Sequence, residues 1–379
     1  MREGQIRIPS GCAISGIINR RGHGFSGSAI INSIALMHER SNGMGGGFAA
    51  YGIYPGYAEC YALHIFFESE SVKAEMEKSL YTSFQIYLAE EIPTRKSRKF
   101  KDAPIIWRYF ATPLPAALEK YAGDEDEFMA RFVLQVNSTL GGAYIFSSGK
   151  NMGAFKAVGY PEDVGEFYCL DEYKGYLWTA HGRFPTNTPG WWGGAHPFAL
   201  LDWSVVHNGE ISSYDANRRY LEMFGYVCSL QTDTEVITYL FDLLLRKHGL
   251  SLRDAVLIVA PPLWSRLEEL DKNERERIRK LRVIYAGALL NGPFSIILAN
   301  ANGLLALNDR LKLRSLVAAE DNEYLYVASE EAAIRVVANP QKLWFPAGGE
   351  AVLGLLDGKE SLYSGGRCFD GGKLENAGI

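Results

Sequence analysis

The chain has 379 residues, 47% of them hydrophobic and 12% aromatic, which is enough for one large domain or two ordinary ones. Its formal net charge of -5 argues against a general nucleic-acid-binding protein. No stretch approaches the roughly 20 apolar residues of a membrane span, and residues 1–11 lack the apolar core of a secretory signal. We therefore expect a soluble cytoplasmic protein.

The cysteines and histidines fit neither a disulfide framework nor a metal site. The five cysteines, odd in number and without a C-x-x-C pair, are Cys12, Cys60, Cys169, Cys228 and Cys368. This pattern is typical of a reduced compartment and of a chain without an iron–sulfur cluster or a zinc site. The histidines closest to the motifs described below also match no zinc pattern, so we predict no metal; they are His181, His196 and His207.

The first part of the chain predicts a strand, a helix and a glycine-rich loop, in that order. Residues 13–18 predict the strand, and Ser26–Glu39 predicts the helix because its apolar residues recur at helical spacing. The loop follows at Ser41–Gly47. A dinucleotide-binding loop would place its glycines between a strand and the next helix, so we interpret this one as a tight turn beside a site.

Residues 68–140 predict a more helical section. Helices over Val72–Tyr87 and Glu125–Asn137 flank a predicted strand at Pro104–Ala111. Between them lies a basic run, Arg95–Lys101, which is either a solvated loop or a docking patch for an acidic partner.

The rest of the chain alternates short strands with helices. The predicted strands cover residues 143–147, 153–158, 176–182, 203–207, 294–299, 304–307, 324–328 and 351–355. The predicted helices are Tyr214–Phe224, Asp233–His248 and Ser265–Arg282. Strands and helices mixed in this order predict sheets layered with helices.

Cys12 is a candidate nucleophile whose base would be its own amine. The closest histidine in the sequence is His23, in a glycine-rich turn. If the chain were cut between Gly11 and Cys12, the new α-amino group, with a pKa near ~8, could take the thiol proton. The alternative is a buried structural cysteine at the start of a strand.

Three later stretches each carry polar groups that also have a purely structural explanation. They are Ala180–Asn187, His207–Ile211 and Gln231–Val236. Arg183 could be a surface charge at a strand end, and Asn208-Gly209 could form a hairpin turn. Either Thr232 or Asp233 could cap a helix, with Glu235 completing a capping box.

Together with Cys12, these stretches resemble the ordered signature of the class II glutamine amidotransferases, the N-terminal-nucleophile glutaminases. Arg40–Gly47 stands where the family has an arginine- and glycine-rich turn, and Ala195–Pro197 fits the pattern between the second and third motifs. The resemblance covers roughly residues 11–56 and 140–355.

Within that family, the sequence is most similar to the glutaminase domain of glutamate synthase. The similarity rests on Arg183–Pro189 and on Trp191–Phe198. Asn308–Arg314 and Ala328–Glu330 also resemble the later part of such domains. The family's Gly-Leu-Arg-Pro reads Lys312-Leu313-Arg314-Ser315 here.

The resemblance implies an α+β fold, a four-layer αββα sandwich of the N-terminal-nucleophile hydrolase type. Residues 68–140 would be a more helical insertion on that sandwich. Residues 1–11 would be a propeptide, residues 12–358 the glutamine amidotransferase domain, and residues 359–379 a glycine-rich tail.

The same resemblance implies hydrolysis of L-glutamine to glutamate and ammonia through a thioester on Cys12. A tetrahedral oxyanion forms on the way and needs donors already in place. The catalytic residues Asn208 and Gly209 would supply them, through the Asn208 side-chain amide and the Gly209 backbone N–H.

Three further residues would bind the substrate. Arg183 offers a two-pronged donor for the α-carboxylate of glutamine, and Asp233 offers an anion for its α-ammonium group. Thr186, with the Trp191–Gly194 loop, would close the pocket against water.

The ammonia would pass to a partner, because the chain is too short to contain a synthase. A flavin-binding barrel alone would need ~250 further residues, so flavin and iron–sulfur cofactors are expected on a separate synthase subunit and none in this chain. By resemblance the partner is glutamate synthase, and the transfer would serve glutamate biosynthesis. A related synthase, such as one making N-methylglutamate, a non-catalytic glutamine-binding or scaffold protein, and a papain-like cysteine hydrolase remain alternatives.

Overall fold

The computed structural model of the chain describes residues 11–100, 102–184 and 190–362. The predicted propeptide, apart from Gly11, lies outside these ranges, as do Thr186 and most of the predicted tail. The strands are β1 (Ala13–Asn19), β2 (Phe25–Ser26), β3 (Gly46–Tyr51), β4 (Tyr61–Phe67), β5 (Phe84–Glu91), β6 (Ile105–Pro113), β7 (Ala143–Ser147), β8 (Met152–Ala157), β9 (Lys174–Gly175), β10 (Leu177–Gly182), β11 (Phe198–Leu200), β12 (Trp203–Gly209), β13 (Phe294–Asn300), β14 (Gly303–Asn308), β15 (Val317–Glu320), β16 (Tyr324–Ala328), β17 (Lys342–Trp344) and β18 (Ala351–Leu355).

The α-helices lie between these strands. They are α1 (Ser28–Ala35), α2 (Glu70–Ser83), α3 (Pro115–Leu118), α4 (Glu125–Thr139), α5 (Pro161–Phe167), α6 (Tyr214–Glu222), α7 (Asp233–Phe241), α8 (Leu252–Val259), α9 (Trp264–Leu267), α10 (Lys272–Ile284) and α11 (Glu331–Arg335). A π-helix, Asp242–Lys247, continues α7 directly. None of the described helices is both long and apolar enough to cross a lipid bilayer.

Two antiparallel sheets form the centre of the fold. The larger has seven strands in the order β17-β15-β16-β1-β10-β3-β8, and the smaller has five in the order β11-β12-β13-β14-β18. β1 is hydrogen-bonded on both sides, with Ser15 opposite Ala180 of β10 and opposite Ala328 of β16. Cys12 therefore sits directly before a central strand of the larger sheet.

The two sheets pack face to face through alternate residues of their strands, which point to the same side. Ile14 and Ile18 of β1 are buried in one cluster with Val206 of β12 and Ile297 of β13. An ideal Cβ placed on Gly16, between those two isoleucines, would lie 3.2 Å from Ile297 Cδ1. Glycine at this position therefore allows a close approach of the sheets.

Helices cover both outer faces of this pair of sheets. On the larger sheet, Ile30 and Ile34 of α1 pack with Val164 of α5, as the helical spacing predicted. On the smaller sheet, α7 contributes Ile237 and Leu240 to the core. The order helix, sheet, sheet, helix confirms the predicted αββα sandwich.

The section 68–140 shares a sheet with its flanks. The predicted helix Val72–Tyr87 is wrong at its end, because α2 stops at Ser83 and Phe84 begins β5. Leu80, Phe84 and Tyr87 are spaced as on one helix face, which concealed the strand. The resulting four-stranded sheet has the order β5-β6-β4-β7, so β4 and β7 join this section to the chain on either side.

Two other predicted helices are also corrected. Ser26–Glu39 contains only α1, followed by a 3₁₀ turn at His38–Arg40. Ser265–Arg282 divides into α9 and α10, because the Asp271 side chain accepts hydrogen bonds from the first N–H groups of α10 and caps a new helix.

Candidate active site

A cavity of about 830 Å³ opens beside the point where β1 begins and β10 and β12 end. Ala13 pairs with Gly182 across β1 and β10, which brings Cys12 and Arg183 to the same edge. The predicted site residues in the described ranges all line this cavity: Cys12, Arg183, Asn208, Gly209 and Asp233. Thr186 lies outside the described residues.

Among the described residues, the Cys12 thiol has a backbone hydrogen-bond donor but no side-chain base. The Phe184 N–H donates a hydrogen bond to Cys12 Sγ over 3.3 Å. Burial raises the pKa of the Cys12 thiol, and the Phe184 hydrogen bond only partly opposes this rise. No histidine in the described ranges hydrogen-bonds Cys12, so the His–Cys pair of a papain-like hydrolase is not formed here. The thiol needs another base, such as its own α-amine.

Asn208 and Gly209 occupy the last two positions of β12, so the alternative of a hairpin turn is wrong. The buried Asn208 side chain donates from Nδ2 to Ser329 Oγ over 3.3 Å. An ideal Cβ on Gly209 would lie 2.0 Å from the Pro293 carbonyl oxygen, and the Gly209 φ of 147° also favours glycine. The Asn208 side-chain amide is thus held in place. Gly209 has a backbone conformation and close surroundings that only glycine fits.

Arg183 is buried at the cavity wall, with 4% of its surface exposed, so it is not a surface charge. Its backbone N–H donates to the Gly45 carbonyl over 2.8 Å, and its carbonyl accepts from Ser41 Oγ over 2.9 Å. An ideal Cβ on Gly45 would lie 3.0 Å from Arg183 Cδ. The glycine-rich loop therefore seats this arginine.

Asp233 is held by neighbours that favour its ionised form. Its Oδ2 accepts from the Ile211 N–H over 3.1 Å and its Oδ1 from the Thr234 hydroxyl over 3.3 Å. Burial alone would raise the pKa of Asp233, but the contact of its Oδ1 with His207 Nδ1, over 3.5 Å, and these two hydrogen bonds hold it below its usual value. The carboxylate is thus an anion in the cavity at neutral pH.

The helix cap at this position is Thr232 rather than Asp233. The Thr232 hydroxyl accepts from the Thr234 N–H over 3.2 Å, which leaves the Asp233 carboxylate to the cavity. Glu235 turns away and accepts hydrogen bonds from the Ser229 and Leu230 N–H groups, at 3.1 and 2.9 Å. Glu235 therefore fixes the loop before α7 instead of completing a capping box.

Three further residues at the site were given no role by the sequence. Arg40 donates from Nε to the Cys12 carbonyl over 3.1 Å. Ser329 accepts from both Asn208 and the Ile14 N–H, and Arg314 lines the cavity beside Gly11. All three lie in stretches that resemble the family, but only their contacts in the folded chain place them at the site.

The Trp191–Gly194 loop, predicted to close the pocket, does not line the cavity. Lys156 donates from Nζ to the Gly193 carbonyl over 2.8 Å, and the Trp191 ring covers Gly193 and Gly194. The hydrogen bond from Lys156 thus holds this loop against β8, away from the cavity.

Two basic residues of the run Arg95–Lys101 form ion pairs within the described part of the chain. Arg95 pairs with Asp171 over 2.8 Å, and Lys99 pairs with Asp163 over 2.6 Å. Lys101 lies outside the described residues. These ion pairs favour the interpretation of a surface loop over that of a docking patch.

The family model described as "Glutamine amidotransferases class-II" matches residues 101–342 of this chain. A protein of Archaeoglobus fulgidus described as uncharacterized is 46% identical over 368 residues, which cover 95% of this chain and 97% of that protein. An amidophosphoribosyltransferase of Methanocaldococcus jannaschii is 26% identical over 207 residues, 54% of this chain and 38% of that enzyme.

Other relatives align with this chain over less than half of their own length. A glutamine–fructose-6-phosphate aminotransferase of Vibrio vulnificus is 33% identical over 139 residues, 36% of this chain and 23% of that enzyme. The structure of glutamine phosphoribosylpyrophosphate amidotransferase from B. subtilis aligns with a TM-score of 0.46 and 14% identity, over 90% of this chain and 47% of that one. The chain thus spans less than half of these named enzymes.

Proposed function

This chain belongs to the class II glutamine amidotransferases, and we propose that it hydrolyses L-glutamine to glutamate and ammonia at Cys12 and delivers the ammonia to a separate synthase subunit. One observation supports the proposal above others. Four motifs far apart in sequence bring a thiol, a guanidinium, a carboxamide and a carboxylate to one cavity. These groups are Cys12, Arg183, Asn208 and Asp233.

In the proposed reaction the two charged ends of glutamine are bound first. Arg183 donates hydrogen bonds to the α-carboxylate and Asp233 accepts them from the α-ammonium group, so the side-chain amide extends towards Cys12. The Cys12 α-amine takes the thiol proton, and the sulfur bonds to the amide carbon. The negative charge moves to the amide oxygen, where Asn208 and Gly209 stabilise it.

The intermediate then collapses in two stages. The C–N bond breaks, the α-amine returns the proton to the leaving nitrogen, and ammonia departs from a γ-glutamyl thioester on Cys12. Water, deprotonated by the same amine, attacks the thioester and releases glutamate and the free thiol.

This mechanism requires a free α-amine on Cys12, and so the removal of residues 1–11. Gly11 is joined to Cys12 in the structure, and its ideal Cβ lies 4.0 Å from Asn208 Oδ1 and 3.9 Å from Arg314 Nη1. Gly11 therefore lies at the substrate side of the cavity. Cleavage after Gly11 would create the base and remove Gly11 from this position.

We infer that the acceptor of the ammonia is a glutamate synthase subunit that carries flavin and iron–sulfur cofactors. The support is the resemblance of the stretch Trp191–Phe198 to the glutaminase domain of that enzyme. The named relatives are longer than the part they share with this chain, which is consistent with an acceptor reaction on other residues.

The test is glutamate release by purified protein, with intact-mass analysis of the same sample. Active protein should begin at Cys12, and Cys12→Ala should have the same fold and no activity. Full activity from a chain that keeps Met1–Gly11 would contradict the amine mechanism. Calorimetric binding of glutamine without turnover, in a correctly cleaved sample, would favour the non-catalytic alternative.

The acceptor is tested separately, with a purified flavin-containing glutamate synthase subunit at fixed glutamine. We expect slow hydrolysis alone and a higher kcat/KM in the complex, because ammonia released early is lost. An unchanged kcat/KM in a complex demonstrated by sedimentation would contradict the coupling.

A further inference from the structure

A group of buried polar side chains lies behind Asp233 and has no part in the chemistry proposed above. Thr234 follows Asp233 at the start of α7, and its hydroxyl oxygen meets two histidines. Thr234 Oγ1 lies 3.2 Å from His207 Nδ1, contacts His196 Nε2, and lies 3.3 Å from Asp233 Oδ1. The side chains of Thr234, His196 and His207 are all at least 95% buried.

The three groups around the Thr234 hydroxyl determine where its proton points and which ring nitrogen of each histidine carries a proton. A hydroxyl has one proton to donate and two lone pairs to accept with, and an ionised carboxylate can only accept. The Thr234 proton therefore points to Asp233 Oδ1. Both lone pairs must then accept, so that His196 carries its proton on Nε2 and His207 carries its proton on Nδ1.

The other ring nitrogens agree with this assignment. Within the residues that the structure describes, His196 Nδ1 and His207 Nε2 are buried and have no hydrogen-bond partner. A bare lone pair tolerates such a place better than an N–H group, which would lose a hydrogen bond to water. The two imidazoles are therefore neutral, each as a single tautomer.

His181 extends the group by one ring. Its Nε2 lies 2.9 Å from the His207 carbonyl oxygen and must donate to it, while its Nδ1 has no partner in the described part of the chain. The His181 and His196 rings are in contact, with centroids 4.1 Å apart and planes tilted by 31°. Burial lowers the pKa of His181 to about 3, which agrees with a neutral ring.

The backbone around His196 is anchored as well. Lys156 is fully buried and donates from Nζ to the Gly193 carbonyl over 2.8 Å and to the Pro197 carbonyl over 3.4 Å. The two carbonyls lie on either side of His196 in the sequence, and Lys156 Nζ lies 4.6 Å from the centroid of the Phe198 ring. His196 therefore cannot easily turn away from Thr234.

We propose that Thr234, His196 and His207 are positioning residues that orient the Asp233 carboxylate towards the α-ammonium group of glutamine. This inference rests on the proposed role of Asp233 and adds the residues that make that role possible. The Thr234 proton and the Ile211 N–H each bind one carboxylate oxygen, so the plane of the carboxylate is fixed. His207 Nδ1 also lies 3.5 Å from Asp233 Oδ1, and Asp233 lines the cavity.

The first test reads the tautomers directly in wild-type protein. Two-bond ¹H–¹⁵N correlation spectra of histidine-labelled protein, assigned by single His→Gln variants, should show neutral Nε2–H rings for His181 and His196. His207 should be a neutral Nδ1–H ring. A charged His196 or His207, or the opposite tautomer at either, would overturn the inference. This result does not depend on activity, so it stands even if the cleaved wild-type protein fails to hydrolyse glutamine.

The second test uses kinetics to separate positioning from a general structural effect. Thr234→Val should raise the KM for glutamine on the order of tenfold with little change in kcat, because the lost hydrogen bond acts on a charged group that binds substrate. Thr234→Ser should restore the wild-type KM. A fall in kcat at constant KM, or a failure of Thr234→Ser to restore KM, would overturn the inference.

The matched control is Thr238→Val, one turn further along α7. Thr238 is equally buried, and its hydroxyl donates only to the Thr234 backbone carbonyl, over 2.9 Å. We expect its KM to stay at the wild-type value. An equal rise in KM for Thr238→Val would show a general effect on α7 and contradict the proposal. If Thr234→Val does not fold, the tautomers of the wild-type protein decide.

Discussion

Asn208 donates a hydrogen bond from Nδ2 to Ser329 Oγ over 3.3 Å, and this bond joins the two sheets at the edge of the cavity. Asn208 ends β12 in the smaller sheet, and Ser329 follows β16 in the larger one. The Ile14 N–H, two residues after Cys12, donates to the same hydroxyl oxygen over 3.1 Å. One serine thus sets the position of the nucleophile's strand and of the proposed oxyanion donor.

Removal of the Asn208 amide should act on kcat. Asn208→Ala should lower kcat by roughly 100- to 1,000-fold with a small change in KM, because the amide binds the charge that develops in the transition state. Ser329→Ala should lower kcat by a smaller factor, since it releases the amide without removing it.

Ser295→Ala is the matched control for Ser329→Ala. Ser295 lies opposite Asn208 on β13 and is buried, and its hydroxyl has no hydrogen-bond partner among the described residues. Its kcat should remain close to the wild-type value. Equal losses in Ser295→Ala and Ser329→Ala would show that the hydrogen bond to Asn208 is not the cause.

Substrate binding should depend on the shape of the Arg183 side chain as well as its charge. Arg183→Lys keeps the charge but loses the two-pronged donor, so KM for glutamine should rise roughly 10- to 100-fold. Steady-state kinetics of Arg253→Lys provide the control, because Arg253 makes an exposed ion pair with Glu274. A KM for Arg183→Lys equal to that of the control would show that Arg183 does not bind the carboxylate.

Lys312 occupies a backbone conformation that favours glycine. Its φ is 53°, in the left-handed region, at the position where the family pattern has glycine. Lys312→Gly should therefore raise the free energy of unfolding by up to about 1 kcal/mol in urea titrations.

The same substitution inside a helix should have the opposite effect. Lys280→Gly, in the interior of α10, should lower the free energy of unfolding by about 1 kcal/mol. If Lys312→Gly were destabilised as much as Lys280→Gly, the strain at Lys312 would be offset by contacts of its side chain, such as the one with the Phe345 ring.

Glu235 should make the stability of the fold depend on pH. Burial raises the pKa of Glu235 from 4.5 to about 7, despite hydrogen bonds that favour the anion. Between these two values the native state keeps a proton that the unfolded chain loses, so stability falls as the pH rises through this interval and levels off above it. At about 1.4 kcal/mol for each pKa unit, the loss amounts to about 3 kcal/mol.

Urea unfolding at about pH 5 and about pH 8 checks this dependence. The wild-type protein should lose more stability between the two conditions than Glu235→Gln, which cannot titrate. Glu276→Gln, at an exposed position of α10, should behave like the wild type. A Glu235→Gln variant with the full wild-type pH dependence would place the titration elsewhere.

Residues of the candidate site could be predicted from the sequence where each of them belongs to a short sequence motif. Cys12, Arg183, Asn208 and Asp233 each stand beside residues that fix a strand end or a helix start, and these ends meet in the cavity. The role of Ser329 could not be predicted, because its hydrogen bond with Asn208 forms only where the two sheets come into contact.

Some strands and helices of the fold could be predicted from the sequence, and others could not. Strands that are short apolar runs, such as Tyr324–Ala328 and Ala351–Leu355, were predicted with their observed bounds. β5 was missed because its apolar residues continue the helical spacing of α2. Helix α8, Leu252–Val259, was missed as well, although Ser251 caps it through the Asp254 N–H.

The central position of β1 bears on what proteolytic maturation would do to the molecule. Chain ends usually fray, since few contacts hold them. A chain cut after Gly11 would instead begin one residue before a strand that is paired on both sides and buried along its whole length. The amide of Ile14, which also donates to Ser329, should consequently exchange with solvent as slowly after cleavage as before. Maturation would then create a new terminus whose mobility is that of an interior strand, so the amine would remain beside its thiol throughout the catalytic cycle.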